Sequence, residues 1–237
     1  VGKMGAGRLN LAKALTIASS FTSAGTVEAS VASEEVRQSS YRIAVASESG
    51  SSPTVRVLTN DGSKTLVSFD AYDSAFTGGV RLAMGDVDGD GTEEIVTVPG
   101  KGGGPQVKIF DLNGVLESQF FAFDESIHSG LFVATGDIDG DGTEEIVVGM
   151  DDADHPQIRF FDKEGHQQGD DLEPFNFKEN EQKSLRIAMG DVDGDGSEEV
   201  IVTRGKGFEP FVDVYKPDGT LVSEFLAYDQ NYKNGVF

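Results

Sequence analysis

The sequence predicts an all-β protein, a β-propeller of four-stranded blades, partial with about four blades present, preceded by a short N-terminal helix. Three observations carry this. A sixteen-residue unit recurs at Arg81–Val96, Phe132–Val147 and Arg186–Ile201, with leading glycines Gly85, Gly136 and Gly190 spaced 51 and 54 residues apart. Each unit splits into four short runs of strand-forming residues separated by turn signals, the size of a propeller blade. No sustained helical period runs through the repeated region.

In chain order, residues 1–18 read as the C-terminal remnant of an upstream domain. Gly5 to Leu15 opens on a glycine turn, and Asn10 can cap a short amphipathic helix. This Gly-x-Gly-x-Asn-x-x-x-Ala pattern resembles the last helix of a subtilisin-like serine protease domain. The resemblance implies that any catalytic Asp, His and Ser would lie upstream of Val1, so no catalytic residue is assigned in this chain. Residues 19–40, rich in Ser, Ala, Thr and Glu, read as a linker, with a degenerate first strand of blade one near Glu28–Ala32. The blades then occupy 41–79, 80–130, 131–184 and 185–235, and a further blade begins at 236. Val1 is not a methionine and Phe237 falls inside the repeated motif, so both ends read as truncated and the outermost blades as lacking a neighbour.

Within blade two, Val80–Met84 alternates, Ile95–Val98 is a compact apolar run, Gln106–Phe110 alternates again, and Asn113-Gly114 is a hairpin turn before a fourth strand at Val115–Phe123. Prolines Pro105, Pro156 and Pro210 each lie twenty residues after the leading glycine, and turn glycines Gly114, Gly165 and Gly219 nine further on. The three extra residues of the second interval therefore fall after Gly165, in the stretch containing Gln167 to Leu172. Pro53 and Gly62 extend the same ruler into blade one. Aromatics recur before each boundary (Phe69 and Tyr72, Phe120 and Phe123, Phe225 and Tyr228), with Phe177 and Pro174 in blade three; they read as packing between blades.

Between the first and second strands lie three acidic loops: Asp86 to Glu94, Asp137 to Glu145 and Asp191 to Glu199. Side-chain oxygens at loop positions 1, 3, 5 and 9, with a backbone carbonyl at 7, suit a hard cation that takes about six to eight oxygens. The candidate ligands are Asp86, Asp88, Asp90, Glu94 and the Thr92 carbonyl; Asp137, Asp139, Asp141, Glu145 and the Thr143 carbonyl; and Asp191, Asp193, Asp195, Glu199 and the Ser197 carbonyl. Gly91, Gly142 and Gly196 permit the sharp turn that aims these groups inward. Without a cation the carboxylates repel; two charges 4 Å apart cost roughly 4 kcal/mol at an effective dielectric near 20. Three clusters at matching positions predict about three Ca²⁺ ions, magnesium being disfavoured by the many protein oxygens. Blade one has Glu34, Val36, Gln38 and Arg42 at the corresponding places and is expected to bind none. An EF-hand is excluded: position 12 is Thr97, Val148 or Val202, and strand-like residues follow the loop.

The Gly-Asp-x-Asp-Gly-Asp-Gly core resembles the FG-GAP (VCBS-type) repeat family, over about residues 41–237. Its best-known members form the propeller of integrin alpha chains, a ring of about seven blades. The resemblance implies calcium ligands at the residues just named, with one departure: the family's Asp at position 9 is here Glu94, Glu145 and Glu199. It implies an extracellular or cell-surface module, secreted and bacterial, serving adhesion, ligand binding or an accessory role in a secreted enzyme.

Composition narrows the partners. Forty-one acidic against 19 basic residues give a formal net charge of −22, which excludes nucleic acid and an anionic membrane surface. With no cysteine there are no disulfides or zinc–thiolate sites, and no apolar run spans a bilayer. His128, His155 and His166 occupy non-equivalent places, and Gly102-Gly103-Gly104 lacks the Gly-Lys-Ser/Thr of a phosphate loop. The readings left are a non-catalytic binding or scaffold module with an unknown protein or glycan ligand, an accessory C-terminal domain of a secreted subtilisin-like protease, and a carbohydrate-binding propeller.

Overall fold

The structure is a computed structural model, and it describes residues 41–151, 156–175 and 184–236. These form four antiparallel meanders. Blade one holds β1 (Arg42–Ala46), β2 (Thr54–Thr59) and β3 (Thr65–Asp70). Blade two holds β4 (Val80–Gly85), β5 (Glu94–Pro99), β6 (Gln106–Phe110) and β7 (Leu116–Phe121). Blade three holds β8 (Leu131–Gly136), β9 (Glu145–Met150), β10 (Ile158–Phe161) and β11 (Gln167–Leu172). Blade four holds β12 (Leu185–Gly190), β13 (Glu199–Arg204), β14 (Phe211–Tyr215) and β15 (Leu221–Leu226). Arg42 stands where Glu94 opens β5, so β1 is a second strand. The expected first strand near Glu28–Ala32, the N-terminal helix, the linker and the non-binding loop of blade one lie outside the described residues.

The first strands sit side by side, β8 packing between β4 and β12. Second strands are the most enclosed; β5 is buried along its whole length, whereas the fourth strand β15 is exposed throughout. This gradient from inside to outside is that of a propeller blade.

The hydrophobic core lies between blades rather than within them. Alternation along each strand sends consecutive side chains to opposite faces. On β6, Val107 and Ile109 face blade three, while Phe110 faces blade one. The first junction joins Val55, Val57 and Ala71 to Val80, Ile95 and Phe110. The second joins Val96, Val107, Ile109 and Phe123 to Leu131, Ile146, Val148 and Phe161. The third joins Val147, Ile158 and Phe160 to Leu185, Val200, Val202 and Tyr215. Each such side chain contributes roughly 1.5–3 kcal/mol on full burial, and no blade can bury its faces alone.

The aromatic landmarks do pack between blades. Phe69 lies 4.7 Å from Phe110 and Phe120 lies 4.9 Å from Phe161, ring centre to ring centre. The turn glycines serve this packing as well as the turn. Gly114 and Gly165 have φ of 78° and 87°, and a Cβ on either would strike the ring of Phe69 or Phe120. The prolines anchor the outer edge: the carbonyls of Pro53, Pro105 and Pro210 accept from the amides of Ala71, Ala122 and Ala227, each at 2.9 Å. Blade three departs from the pattern. Its β11 bulges between Gln168 and Leu172, at Gly169 with φ 68°, which absorbs part of the three-residue excess. Leu172 and Phe175 then fill the third junction; Phe177 lies outside the described residues.

Candidate metal centres

Each acidic loop hangs between two paired strands. Gly85 is in register with Glu94, Gly136 with Glu145 and Gly190 with Glu199. The ninth loop residue is therefore also the first residue of the second strand, and the sheet fixes its direction. Glu94 and Glu199 are buried. In each blade one carboxylate oxygen accepts from the amide of loop position 2: Val87 to Glu94 at 3.1 Å, Ile138 to Glu145 at 3.0 Å, Val192 to Glu199 at 2.9 Å. The other oxygen is left for the loop interior.

The loop amides orient the aspartates in the same way three times. Position 6 donates to the first Asp: Gly91 to Asp86 and Gly142 to Asp137 at 2.9 Å, Gly196 to Asp191 at 3.3 Å. Asp90, Asp141 and Asp195 donate to Asp88, Asp139 and Asp193 at 3.1 Å. Thr92, Thr143 and Ser197 donate to Asp90, Asp141 and Asp195 at 2.7, 2.8 and 2.9 Å. Two glycines per loop, at positions 4 and 6, take the left-handed conformation; in blade two they are Gly89 at 73° and Gly91 at 88°. Only the second of these is expected from the ligand spacing.

Carboxylate oxygens converge within 4.8 Å of one another in each loop: Asp86, Asp88 and Asp90; Asp137, Asp139 and Glu145; Asp191, Asp193 and Glu199. Asp141 stands close enough for its charge to raise the Glu145 pKa, and Lys216 bridges Asp193 and Asp195. The convergence is costly. Burial, and next the charge of Asp88, push the Glu94 carboxyl up to about 7. Burial, with Asp139, Asp141 and Asp137 adding to it, pushes Glu145 up to about 7. Oδ1 of Asp86 is buried with no hydrogen-bond partner. A buried carboxylate oxygen without a partner, on a residue that converges with two other aspartates, fits a hard cation, and all the donors are oxygens.

Three participants are not foreseen from loop spacing. Glu117, at the start of β7, joins Asp88 and Glu94 as a fourth-strand carboxylate. Lys163 crosses from blade three to Asp88 (2.5 Å) and Glu117 (2.6 Å), holding Asp88 below the usual carboxylate range. Lys216 lies 2.8 Å from Asp195 and 3.0 Å from Asp193. Adjacent loops are also tied together: the Glu144 amide donates to the Asp86 carbonyl (2.9 Å) and the Glu198 amide to the Asp137 carbonyl (2.7 Å). The carboxylates of Glu144 and Glu198 lie beside Gly85 and Gly136 of the preceding blade. His166 pairs with Asp162 on an exposed turn, and His155 lies outside the described residues.

Residues 137–202 match the family model of the FG-GAP-like repeat. No curated protein matches the chain in sequence. Among solved structures it is similar to a Bacteroides caccae protein of unknown function, with 13% identity, a TM-score of 0.50, and coverage of 80% of this chain and 59% of that one. It is also similar to the exotype rhamnogalacturonan lyase YesX (14% identity, TM-score 0.48, 76% of this chain and 42% of that one) and to the Dos1 propeller (13%, 0.48, 75% and 43%). The chain thus spans 59% or less of the length of these three structures. The acidic loop recurs before the matched stretch, at 86–94, and the proline landmark on both sides of it, so the chain is a β-propeller protein that carries an FG-GAP-like repeat over residues 137–202.

Proposed function

We propose that the chain is a calcium-binding extracellular propeller module, non-catalytic in itself, that serves ligand binding, adhesion or scaffolding. One observation carries the reading: three blades each converge carboxylates from the same loop at the same register, the aspartates of loop positions 1 and 3 in all three, and in one of them a buried aspartate oxygen has no partner. Asp86, Asp88, Asp90, Glu94 and the Thr92 carbonyl would hold one ion, with the corresponding five groups in blades three and four holding two more. Bound there, the ion supplies the positive charge that offsets the carboxylate repulsion. The chain's own part is to hold each loop in one shape: two strands clamp its ends, and amides at positions 2, 5, 6 and 7 orient the oxygens. The rim of linked loops is then a rigid platform at one end of the blades. No helix among the described residues is long and apolar enough to cross a membrane.

Extracellular calcium modules bind at about 10⁻⁴–10⁻³ M, and the same range is expected here. Titration calorimetry on the chain should reveal about three calcium sites. Magnesium binding as well as calcium, or a single site, would show that the ligand assignment is wrong.

A further inference from the structure

The third junction departs from the other two at one position. At the first, Lys108 of β6 donates to the Ala71 carbonyl of blade one (3.0 Å) and holds its ammonium 5.0 Å from the Tyr72 ring. At the second, Arg159 of β10 donates to the Ala122 carbonyl of blade two (3.0 Å) and holds its guanidinium 4.7 Å from the Phe123 ring. The corresponding residue of β14 is Asp213, so an anion stands where the other junctions have a cation. Its cross-strand partner does not compensate. Arg159 is paired with Asp171, whereas Asp213 lies opposite Glu224. Like charges directly opposite one another destabilise a sheet.

Asp213 lines a cavity of about 510 Å³ together with Glu173, Phe175, Arg204, Tyr215 and Glu224. That is room for a small molecule rather than a single water, whose share of the liquid is about 30 Å³. The Asp213 side chain belongs to a residue only 2% exposed. Its Oδ2 accepts from the Tyr215 hydroxyl at 3.3 Å, and its Oδ1 is buried with no hydrogen-bond partner. Arg204, whose guanidinium lies 4.4 Å from the Phe175 ring, is the one cation among the six lining residues, against three carboxylates. The aromatic rings beside those carboxylates favour an organic cation over a metal ion, which would take oxygens alone.

The geometry points to a binding site for a primary ammonium group, carried by a small amine or by a lysine side chain, in this cavity between blades three and four. An ammonium has three N–H donors. They would meet the unpartnered Asp213 Oδ1 and the carboxylates of Glu224 and Glu173, supplying from outside the positive charge that Lys108 and Arg159 supply from within. Hydrogen bonds between ionised partners are the strong ones. The site is separate from the acidic loops: Arg204 ends β13, and the loop residue Glu199 begins it. The proposal therefore does not rest on calcium, and its failure would leave the count of calcium sites untouched.

Titration calorimetry of the full chain with butylamine tests it. One saturable site with a Kd on the order of 1 mM is expected, within reach of so small a ligand. Butanol, uncharged and of the same length, should not bind. Asp213→Asn and Glu224→Gln should each weaken butylamine by about tenfold or more, the loss of one charged hydrogen bond, at unchanged circular dichroism. Glu224 is exposed, so its variant keeps the test open should the buried one misfold. Glu125→Gln, which removes the same charge from an exposed turn of blade two, should change nothing. Nα-acetyl-lysine amide separates the two sources: binding tighter than butylamine assigns a lysine side chain, weaker a small amine. Butylamine binding that is absent, matched by butanol, unaltered in either carboxylate variant, or weakened equally by Glu125→Gln would overturn the proposal.

Discussion

The rim of loops and the junctions between blades belong to the same repeats, yet they repeat differently. The three loops carry the same residue at positions 1, 3, 5 and 9, and the amides at positions 2, 5, 6 and 7 make the same hydrogen bonds in each. At position 4, Gly140 and Gly194 donate to Asp137 and Asp191, while the matching Asp86 oxygen has no partner. The junctions agree only in kind. The residue that faces the preceding blade from the third strand is Lys108, then Arg159, then Asp213, and its cross-strand partners are Gln119, Asp171 and Glu224. A hard cation tolerates little variation in ligand type or distance. A stacking face needs only matching volume and balanced charge, which different side chains can supply. The chain therefore repeats its chemistry strictly where geometry is demanded and loosely where burial suffices.

The comparison breaks first at the junctions. Phe161→Ala removes a ring that Phe120 and the second core pack against, and is expected to cost about 3–5 kcal/mol. Because no metal group is touched, the loss of melting temperature should be the same in calcium and in chelator. A loss confined to calcium buffer would mean that the junction is held through the loops rather than by packing.

Asp139→Ala is the complementary experiment, in the blade-three loop. Metal held only by the folded state stabilises by RT ln(1 + [L]/Kd), about 2.7 kcal/mol at a hundredfold excess over Kd. Melting should fall by that amount in calcium and hardly at all in chelator. Asp88→Ala and Asp193→Ala should behave in the same direction, but they also strand Lys163 and Lys216, so some loss persists in chelator. Equal shifts with and without calcium for Asp139→Ala would remove the metal from the explanation.

The smallest effect sharpens the contrast. Asp213 is buried, Glu224 lies directly opposite, Glu173 lines the same cavity, and Arg204 and Tyr215 are the groups that relieve it. Burial, then the charge of Glu224, raises the Asp213 pKa above its ordinary value. A raised folded-state carboxyl costs stability once pH exceeds that pKa, and the cost disappears when the group is protonated. Asp213→Asn should therefore stabilise by roughly 0.2–1 kcal/mol at pH 7.5, with the gain fading as pH falls toward the ordinary carboxylate range. Thermal melts at the two ends of that range decide it. A destabilised variant at neutral pH would mean that the Asp213 carboxylate is an asset to the third junction.

Much of this was legible in the residues alone. The repeat length, the strand positions and the acidic loops are local patterns: alternation has a period of two, a turn needs its glycine where φ is positive, and the loop carboxylates recur at short spacings. The strand limits moved only slightly, as at the fourth strand of blade two, expected at Val115–Phe123 and found at Leu116–Phe121. What the residues do not display is any pairing set by sheet register and blade stacking. Lys163 meets Asp88 across 75 positions of chain; Glu117 enters a cluster whose other members belong to a loop more than twenty residues earlier; Phe175 fills a junction where the ruler had placed a proline. The sequence by itself determined a propeller of repeated blades and where its acidic loops fall. Only the tertiary structure decided which face of each strand is core and which lysine reaches which loop, because those outcomes depend on long-range packing that no local spacing records.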